Sequence, residues 1–417
     1  MRAFPLRWIR AQVGEIAADP ALRLYGALLA LAHTLCFAHW RLQWQLDQAI
    51  GRDALAICWS FFEACDRFRF LDAAGVDAVL YSYGALSLAT ALFFALGPRR
   101  SGWAFAALLA LELLRAAVVV QDYRLRLNQH YMHGLVSLAF LFVPGKREVL
   151  RVLIALFYFW AGTLKLDREW LSGAALYHAD RFWIQGPLLP LACAYVIALE
   201  MGMVWGLFAR RPWIFWGALG QLALFHVFSY PVVGFYYPIL MFLLLALFPL
   251  CRFLPGASAD LAFTDLARGR MRRQTALVAA GFSALQLVPL AIPGDAKLTG
   301  EGRIFAVHMI DALVECDADY AAHYRDGRVR HLVPNVVYAP RIRCEPLLHW
   351  NLARNLCVAL PQDPAFERLD LRLASRRADE KQLRRLVALA DFCRETPTFY
   401  TLWHNDWIEL DGEIVSP

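Results

Sequence analysis

The residues with the clearest capacity for chemistry lie in Phe157-Tyr-Phe-Trp-Ala-Gly-Thr-Leu-Lys-Leu-Asp-Arg-Glu-Trp-Leu-Ser-Gly173. The stretch begins inside an apolar run that starts near Val149 and ends in Lys165, Asp167, Arg168 and Glu169. A bilayer-spanning helix needs about 20 mostly apolar residues, so Lys165 falls on its last turns. An ammonium there loses much of its water and becomes easier to deprotonate, which turns a permanent cation into a usable base. The competing reading is that Lys165 snorkels and marks the end of a span. Asp167 bears on the choice, because a carboxylate aimed at Lys165 favours the cation, whereas one taken by another partner does not. Further candidates are Asn128-Gln-His-Tyr131, Glu200 inside an apolar run, and His226-Val-Phe-Ser229. The pair Glu112 and Arg115, spaced i,i+3 within another apolar run, should share a helix face and pair.

The elements that carry these residues read as membrane helices. The 417-residue chain is 59% hydrophobic and 19% charged, below the roughly 25% charge of a soluble domain. Nine apolar stretches are expected to cross: Leu24–Trp40, Val79–Leu96, Trp103–Val120, Gly134–Val143, Val149–Leu164, Leu188–Phe208, Trp213–Phe228, Phe235–Leu250 and Thr275–Ile292. Ala54–Ala64 is too short to cross and is expected as an interfacial or re-entrant helix. The fold class is therefore a polytopic α-helical membrane protein of about nine transmembrane helices with a small C-terminal α+β extramembrane domain. Its divisions are a cytoplasmic segment 1–22, a membrane domain 23–293 and an extracytoplasmic domain 294–417. The 14 Trp, 15 Tyr and 28 Phe suit interfacial belts and an aromatic-lined cavity. Aromatics of Phe157–Trp160 (Tyr158 and Trp160 among them) and of Phe235–Tyr237 (Tyr236 among them) are expected to wall such a cavity near Lys165.

The net charge of +6 is scattered over loops with no basic stripe, which excludes nucleic-acid binding as the reading of that charge. Clusters such as Arg99-Arg100, Lys146-Arg147 and Arg210-Arg211 fall in alternate connections. By the positive-inside rule they place the N-terminus in the cytoplasm and Lys165 with the C-terminal domain outside. Cys36, Cys193 and Cys251 sit in apolar runs as packing residues, whereas Cys316, Cys344, Cys357 and Cys393 could pair in any of three connectivities. No CxxC or Cys/His spacing argues for a metal site.

Tyr158-Phe-Trp-Ala-Gly-Thr-Leu-Lys-Leu-Asp-Arg-Glu-Trp-Leu-Ser-Gly173 resembles the signature of the vitamin K-dependent γ-glutamyl carboxylase family and its bacterial branch of horizontally transferred transmembrane (HTTM) domain proteins. The family pattern is an aromatic run, Ala-Gly, two variable or basic residues, Lys-Leu-Asp, two residues, Trp and then Gly. The resemblance implies that Lys165 is the base that deprotonates a hydroquinone, with Tyr158, Trp160, Asp167 and Trp170 beside it. Leu164 stands where the family often has a second basic residue. Asn128-Gln-His-Tyr131 is similar to the family's Asn-His-aromatic motif, in which the pair stabilises a quinol oxyanion. The register leaves Asn128-Gln129 and Gln129-His130 both open, and His130 is preferred because an imidazole can also move a proton. Asn128 has the competing role of helix N-cap.

Glu200 matches an acid after a leucine, and His226 matches the first residue of His-x-x-Asn, with Ser229 replacing the Asn. Leu298-Thr-Gly-Glu-Gly-Arg-Ile-Phe-Ala-Val-His-Met309 resembles Thr-Gly-Glu-Gly-x-x-Phe-Ser-Trp-x-Met, with Ala306 and Val307 replacing Ser-Trp. The resemblance covers residues 20 to 310. It implies a multi-pass protein of a bacterial inner membrane whose site opens outside. It also implies a reduced naphthoquinone (vitamin K or menaquinol hydroquinone), O2 and CO2 as co-reactants, and a protein or peptide glutamate as acceptor. The alternative it admits is an HTTM protein that binds quinone or lipid in a redox, export or immunity role without carboxylating anything. The shortness of the chain leaves no room for a large propeptide-docking region.

Overall fold

The structure, a computed structural model, describes residues 3–44, 46–176, 182–254, 256, 261–307, 314–333, 342–410 and 412–415. Its helices are α1 Ala3–Ala18, α2 Pro20–His39, α3 Ala73–Ala95, α4 Ser101–Val120, α5 Asn128–Phe142, α6 Lys146–Thr163, α7 Leu188–Met201, α8 Pro212–Val233, α9 Tyr236–Leu245, α10 Arg273–Ala291 and α11 Pro346–Ala359, with shorter helical turns between them. Among the described residues, six helical stretches are long and apolar enough to cross a membrane: Pro20–Trp44, Ala73–Ala95, Pro98–Val120, Leu188–Phe208, Tyr236–Phe253 and Arg273–Ala291. Large apolar side chains such as Leu88, Leu92, Leu113, Leu191, Leu277 and Leu290 point outward from these helices. A continuous apolar exterior of that kind belongs in lipid.

The other three expected spans are helices that fall short on length or composition. Helix α5 has 15 residues, and α6 opens on Lys146, Arg147, Glu148 and Arg151. Helix α8 has 22 residues, and Gln221, His226 and Ser229 lower its hydropathy. Residues 3–18, read only as a cytoplasmic segment, form helix α1. Helix α8 runs through Pro231 to Val233 rather than breaking at Tyr230, and Gly234, at φ +72°, ends it.

Caps and buried polar hubs fix the helix ends. Asp19 caps α2, accepting from the Ala21 amide at 2.9 Å, and its carboxylate also takes the Arg147 guanidinium at 2.5 and 2.8 Å. Asp122 accepts from Arg69 at 2.7 Å and from Arg124 Nε at 2.8 Å. Residues 54–64 do not form the expected helix. They run as a loop closed by the Cys58–Cys65 disulfide, and their apolar side chains find a partner in the extramembrane domain instead.

That domain is one helix, α11, on a five-stranded antiparallel sheet. Its strands are β1 Val314–Tyr324, β2 Val329–Leu332, β3 Phe366–Arg377, β4 Leu383–Leu389 and β5 Ile414–Val415, in the order β2-β1-β3-β4-β5. Leu369, Leu371 and Leu373 alternate inward along β3 and pack with Leu348 and Trp350 of α11. The same core takes in Ile57 and Trp59 from the loop and Tyr123 from the α4–α5 connection. The extramembrane body is thus larger than residues 294–417. Cys58 and Asn351 exchange hydrogen bonds of 2.9 and 3.0 Å across this junction. Cys316–Cys344 and Cys357–Cys393 are the pairings in the C-terminal region. Cys36, Cys193 and Cys251 are buried thiols outside the disulfides, as their apolar surroundings imply.

Candidate functional site

Helix α6 ends at Thr163, and the turn that follows carries Lys165 inward rather than out to water. Lys165 Nζ donates to both carboxylate oxygens of Glu200, at 2.7 and 2.5 Å, and lies 5.1 Å over the Trp170 ring. Lys165 is 4% exposed and Glu200 fully buried, which rules out the snorkelling reading. Gly162 makes the pairing possible. A Cβ there would lie 2.8 Å from Met201 Cγ and 3.0 Å from Glu200 Cβ, so only glycine lets α7 approach α6 this closely.

Asp167 does not face Lys165. It caps the short helix Arg168–Ser172, accepting from the Trp170 amide at 2.8 Å, and pairs with Lys297. Lys297 also reaches Glu169 at 3.5 Å. Burial pushes the Glu169 carboxyl above its ordinary range, and the Lys297 charge offsets this only in part. Lys297 belongs to the segment before Thr299-Gly-Glu-Gly302, whose glycines sit at φ +71° and +68°. Glu301 accepts from the Asn405 amide and side chain at 2.7 Å each. This motif is a structural joint between α10 and the sheet domain, and it also clamps the Lys165 turn.

Beside the pair lies an apolar cavity of about 170 Å³, open on one side between α7 and α8. Trp170, Phe182, Cys193, Tyr195, Phe225 and Phe228 are among its walls. The expected walls are not used. Phe157, Tyr158 and Tyr237 pack into the central core, Tyr236 packs against α2, and Trp160 Nε1 donates to Ser283 Oγ of α10 at 3.0 Å. Trp170 Nε1 donates to the Cys193 carbonyl at 3.0 Å, which holds its ring between Lys165 and the cavity.

The histidines form a second cluster. His226 Nε2 meets the Tyr158 hydroxyl at 2.6 Å, and Tyr237 lies edge-on to the same imidazole at 5.3 Å. Ser229 bonds back to the His226 carbonyl at 2.9 Å and so does not act as a donor in place of an Asn. Tyr236, which precedes Tyr237, turns the other way, and its hydroxyl lies 3.2 Å from His130 Nδ1. Tyr236 also stacks on His39 at 4.4 Å. The adjacent Tyr236 and Tyr237 thus link His130 to the His226 and Lys165 side.

His130 is buried with Nε2 unpartnered, while Gln129 is half-buried. Asn128 and His130 are both buried, so burial does not separate the two registers, and His130 faces the interior. Leu127 occupies the N-cap position and Asn128 is already helical, so the capping role given to Asn128 is not observed. A further cavity of about 260 Å³ touches Asn128, His130 and Tyr131. Tyr177, His178, Asp180, Arg181 and Met309 lie outside the described residues.

Sequence reading missed three groups that matter here. Lys297 and Glu345 carried no spacing signal. Glu345 accepts from Tyr123 and from Arg126 at 3.2 Å, joining the sheet domain to the α4–α5 connection. His33 and His133 flank Glu112, and the only hint was the i,i+3 pair Glu112 and Arg115, found at 2.5 Å. Comparison with family models, with curated proteins and with solved structures finds no match to this chain.

Proposed function

We propose that this chain is a multi-pass membrane protein of the vitamin K-dependent carboxylase and HTTM type, in which Lys165 is the base for a reduced naphthoquinone and Glu200 is its proton partner. The observation that carries this is the buried Lys165–Glu200 pair behind Trp170, at the wall of an apolar cavity. The residues present fit such a group. Flat aromatic walls suit a fused ring, and on the separate cavity of about 260 Å³ His130 Nε2, buried and unpartnered, is a polar atom left for a ligand oxygen.

The bound quinol supplies the driving chemistry: quinol, O2, CO2 and a glutamyl side chain give epoxide, water and γ-carboxyglutamyl. The chain's residues do the proton work. A proton can pass from Lys165 Nζ to Glu200 Oε2, 2.5 Å away, which leaves a free amine. In that form Lys165 Nζ accepts the proton of a quinol hydroxyl, and Glu200 and the Trp170 face then hold the ammonium. When the Tyr236 hydroxyl donates to His130 Nδ1, Nε2 carries the hydrogen and offers it to an oxyanion.

The same closed pair also supports a second reading, an HTTM protein that binds quinone or lipid without turnover. Epoxide formation from a reduced naphthoquinone by purified variants separates the two. Lys165→Arg stays protonated and should lose about 10²- to 10⁴-fold. Lys165→Ala should lose as much and be partly restored by a small amine. An active Lys165→Arg protein overturns the base assignment. Wild-type protein that retains quinone in native mass spectrometry yet forms no epoxide favours the second reading.

The reading includes nine crossings in a bacterial inner membrane, with the N-terminus inside and the sheet domain outside. Packing supports it through parity. The 51–71 loop, the α4–α5 connection and the sheet domain bury one core, so they share one side. Between Tyr123 and the domain, three of the six clear spans intervene. An odd number of crossings must therefore come from α5, α6 and α8, and all three together give nine. Three disulfides in that body support an oxidising compartment.

A further inference from the structure

We infer that His33, Glu112 and His133 form an intramembrane binding site for a divalent transition-metal ion, separate from the Lys165 pair. They come from α2, α4 and α5, so no local spacing in the sequence announces them. One ligand atom from each lies within 4.8 Å of the others. His33 Nε2 stands 3.2 Å and His133 Nε2 3.8 Å from Glu112 Oε1. Bonds of about 2.0–2.2 Å in tetrahedral array place donors about 3.4 Å apart, so the two histidine–carboxylate spacings need adjustments of only tenths of an ångström, and the imidazole nitrogens lie within 4.8 Å of each other. The two imidazole centroids are 4.4 Å apart and their planes tilt by 57°. All three residues are buried, the histidines fully and Glu112 with 4% exposure.

The independent observation concerns how the converging atoms are bonded: they meet one another at ion-pair distance. His33 Nε2, Glu112 Oε1 and both ring nitrogens of His133 are buried without a hydrogen bond of normal geometry. Such atoms are expensive in an apolar interior. The groups behind them are in place. The Tyr83 hydroxyl lies 2.6 Å from His33 Nδ1, and if it accepts the Nδ1 hydrogen it leaves the Nε2 lone pair aimed at Oε1. Arg115 takes Glu112 Oε2 at 2.5 Å and is itself held by the His130 carbonyl at 2.6 Å, which turns Oε1 toward the histidines.

Two imidazoles and one carboxylate suit zinc, iron or copper rather than calcium or magnesium. Arg115 already balances the Glu112 charge, so a dication leaves a surplus that calls for an anionic fourth ligand such as hydroxide or chloride. Three protein ligands leave that position open.

The test uses the full chain in detergent, stripped with a chelator and dialysed against Zn²⁺, Co²⁺ or Cu²⁺ separately. Bound metal is counted by mass spectrometry. The expected result is about one ion per chain, visible d–d bands for Co²⁺ and nitrogen hyperfine structure for Cu²⁺. His133→Gln and Glu112→Gln should each weaken binding at least about tenfold, while Lys165→Arg leaves it unchanged. Unchanged binding in well-folded His133→Gln overturns the assignment. So does wild-type protein that holds none of the three ions near unit stoichiometry, the three residues then sharing a proton. If both variants fail to fold, the wild-type Cu²⁺ spectrum decides alone, since a spectrum without imidazole nitrogen coupling also overturns it.

Discussion

Lys165 and Glu200 are worth more together than apart. Removing one member of a buried pair strands the other, at a cost of about 3–5 kcal/mol, whereas replacing both with apolar groups is often neutral. Lys165→Ala should therefore lower the unfolding temperature, and Lys165→Ala with Glu200→Leu should restore it while activity stays lost. A single variant as stable as wild type in a thermal melt would contradict the burial described here. The glycines make sharper tests. In Gly134→Ala the new Cβ falls 2.5 Å from Arg115 Nη2 and must displace that guanidinium, which pairs with Glu112. The expected loss is about 1–3 kcal/mol from crowding alone. A melt indistinguishable from wild type refutes the close approach. At this scale the sequence was informative about which residues matter and poor on who meets whom. Lys165, Glu200, His130 and Tyr236 could each be picked out by charge or aromaticity in an apolar run. That Asp167 turns to Lys297 while Glu200 takes Lys165 depends on how α7 crosses α6 at Gly162, which no local pattern encodes.

Elements were legible where one periodicity dominated. The long apolar runs became helices, usually extended by a few capping residues. They were misread where a partner distant in sequence decides the conformation. Residues 54–64 are apolar enough to pass for an interfacial helix, yet Ile57 and Trp59 bury against the sheet domain and the backbone follows them. Helix α11 offers a test of its packing on the sheet. Burial pushes the His349 imidazole down to about 4, with Tyr320 at 2.7 Å on Nδ1 and the Arg343 carbonyl at 2.9 Å from Nε2. A depressed histidine binds its proton more readily when unfolded. Its contribution is therefore complete above about pH 6.5 and is lost as pH falls toward 4, a change of about 3 kcal/mol. Protection of β1 and β3 against hydrogen exchange, taken relative to the intrinsic rate at each pH, should fall across that window in wild-type protein and do so less in His349→Gln. An identical pH profile in the two proteins removes His349 as the cause.

For the whole molecule, the proposed nine crossings make one clear demand. A periplasmic alkaline phosphatase fused after Pro417 should be active, and a green fluorescent protein fused there should be dark in an export-dependent manner. The opposite pair of results would place the sheet domain inside and break the parity argument. The junction between the 51–71 loop and α11 also sets a timetable. Cys58 and its hydrogen-bond partner Asn351 are 293 residues apart. At about 5–20 residues per second of synthesis, the loop waits roughly 15–60 s for the surface that will cover it. During that interval Cys65, only 7 residues away, is the nearest thiol available to Cys58. The short link can close before Cys316, Cys344, Cys357 and Cys393 have been made, which keeps six thiols from competing at once. Cys58→Ser should therefore do more than lose one bond. It leaves Cys65 in wait for the later cysteines, and non-native disulfides should appear in that variant on non-reducing gels, whereas Cys58→Ser with Cys65→Ser should restore the native pairs.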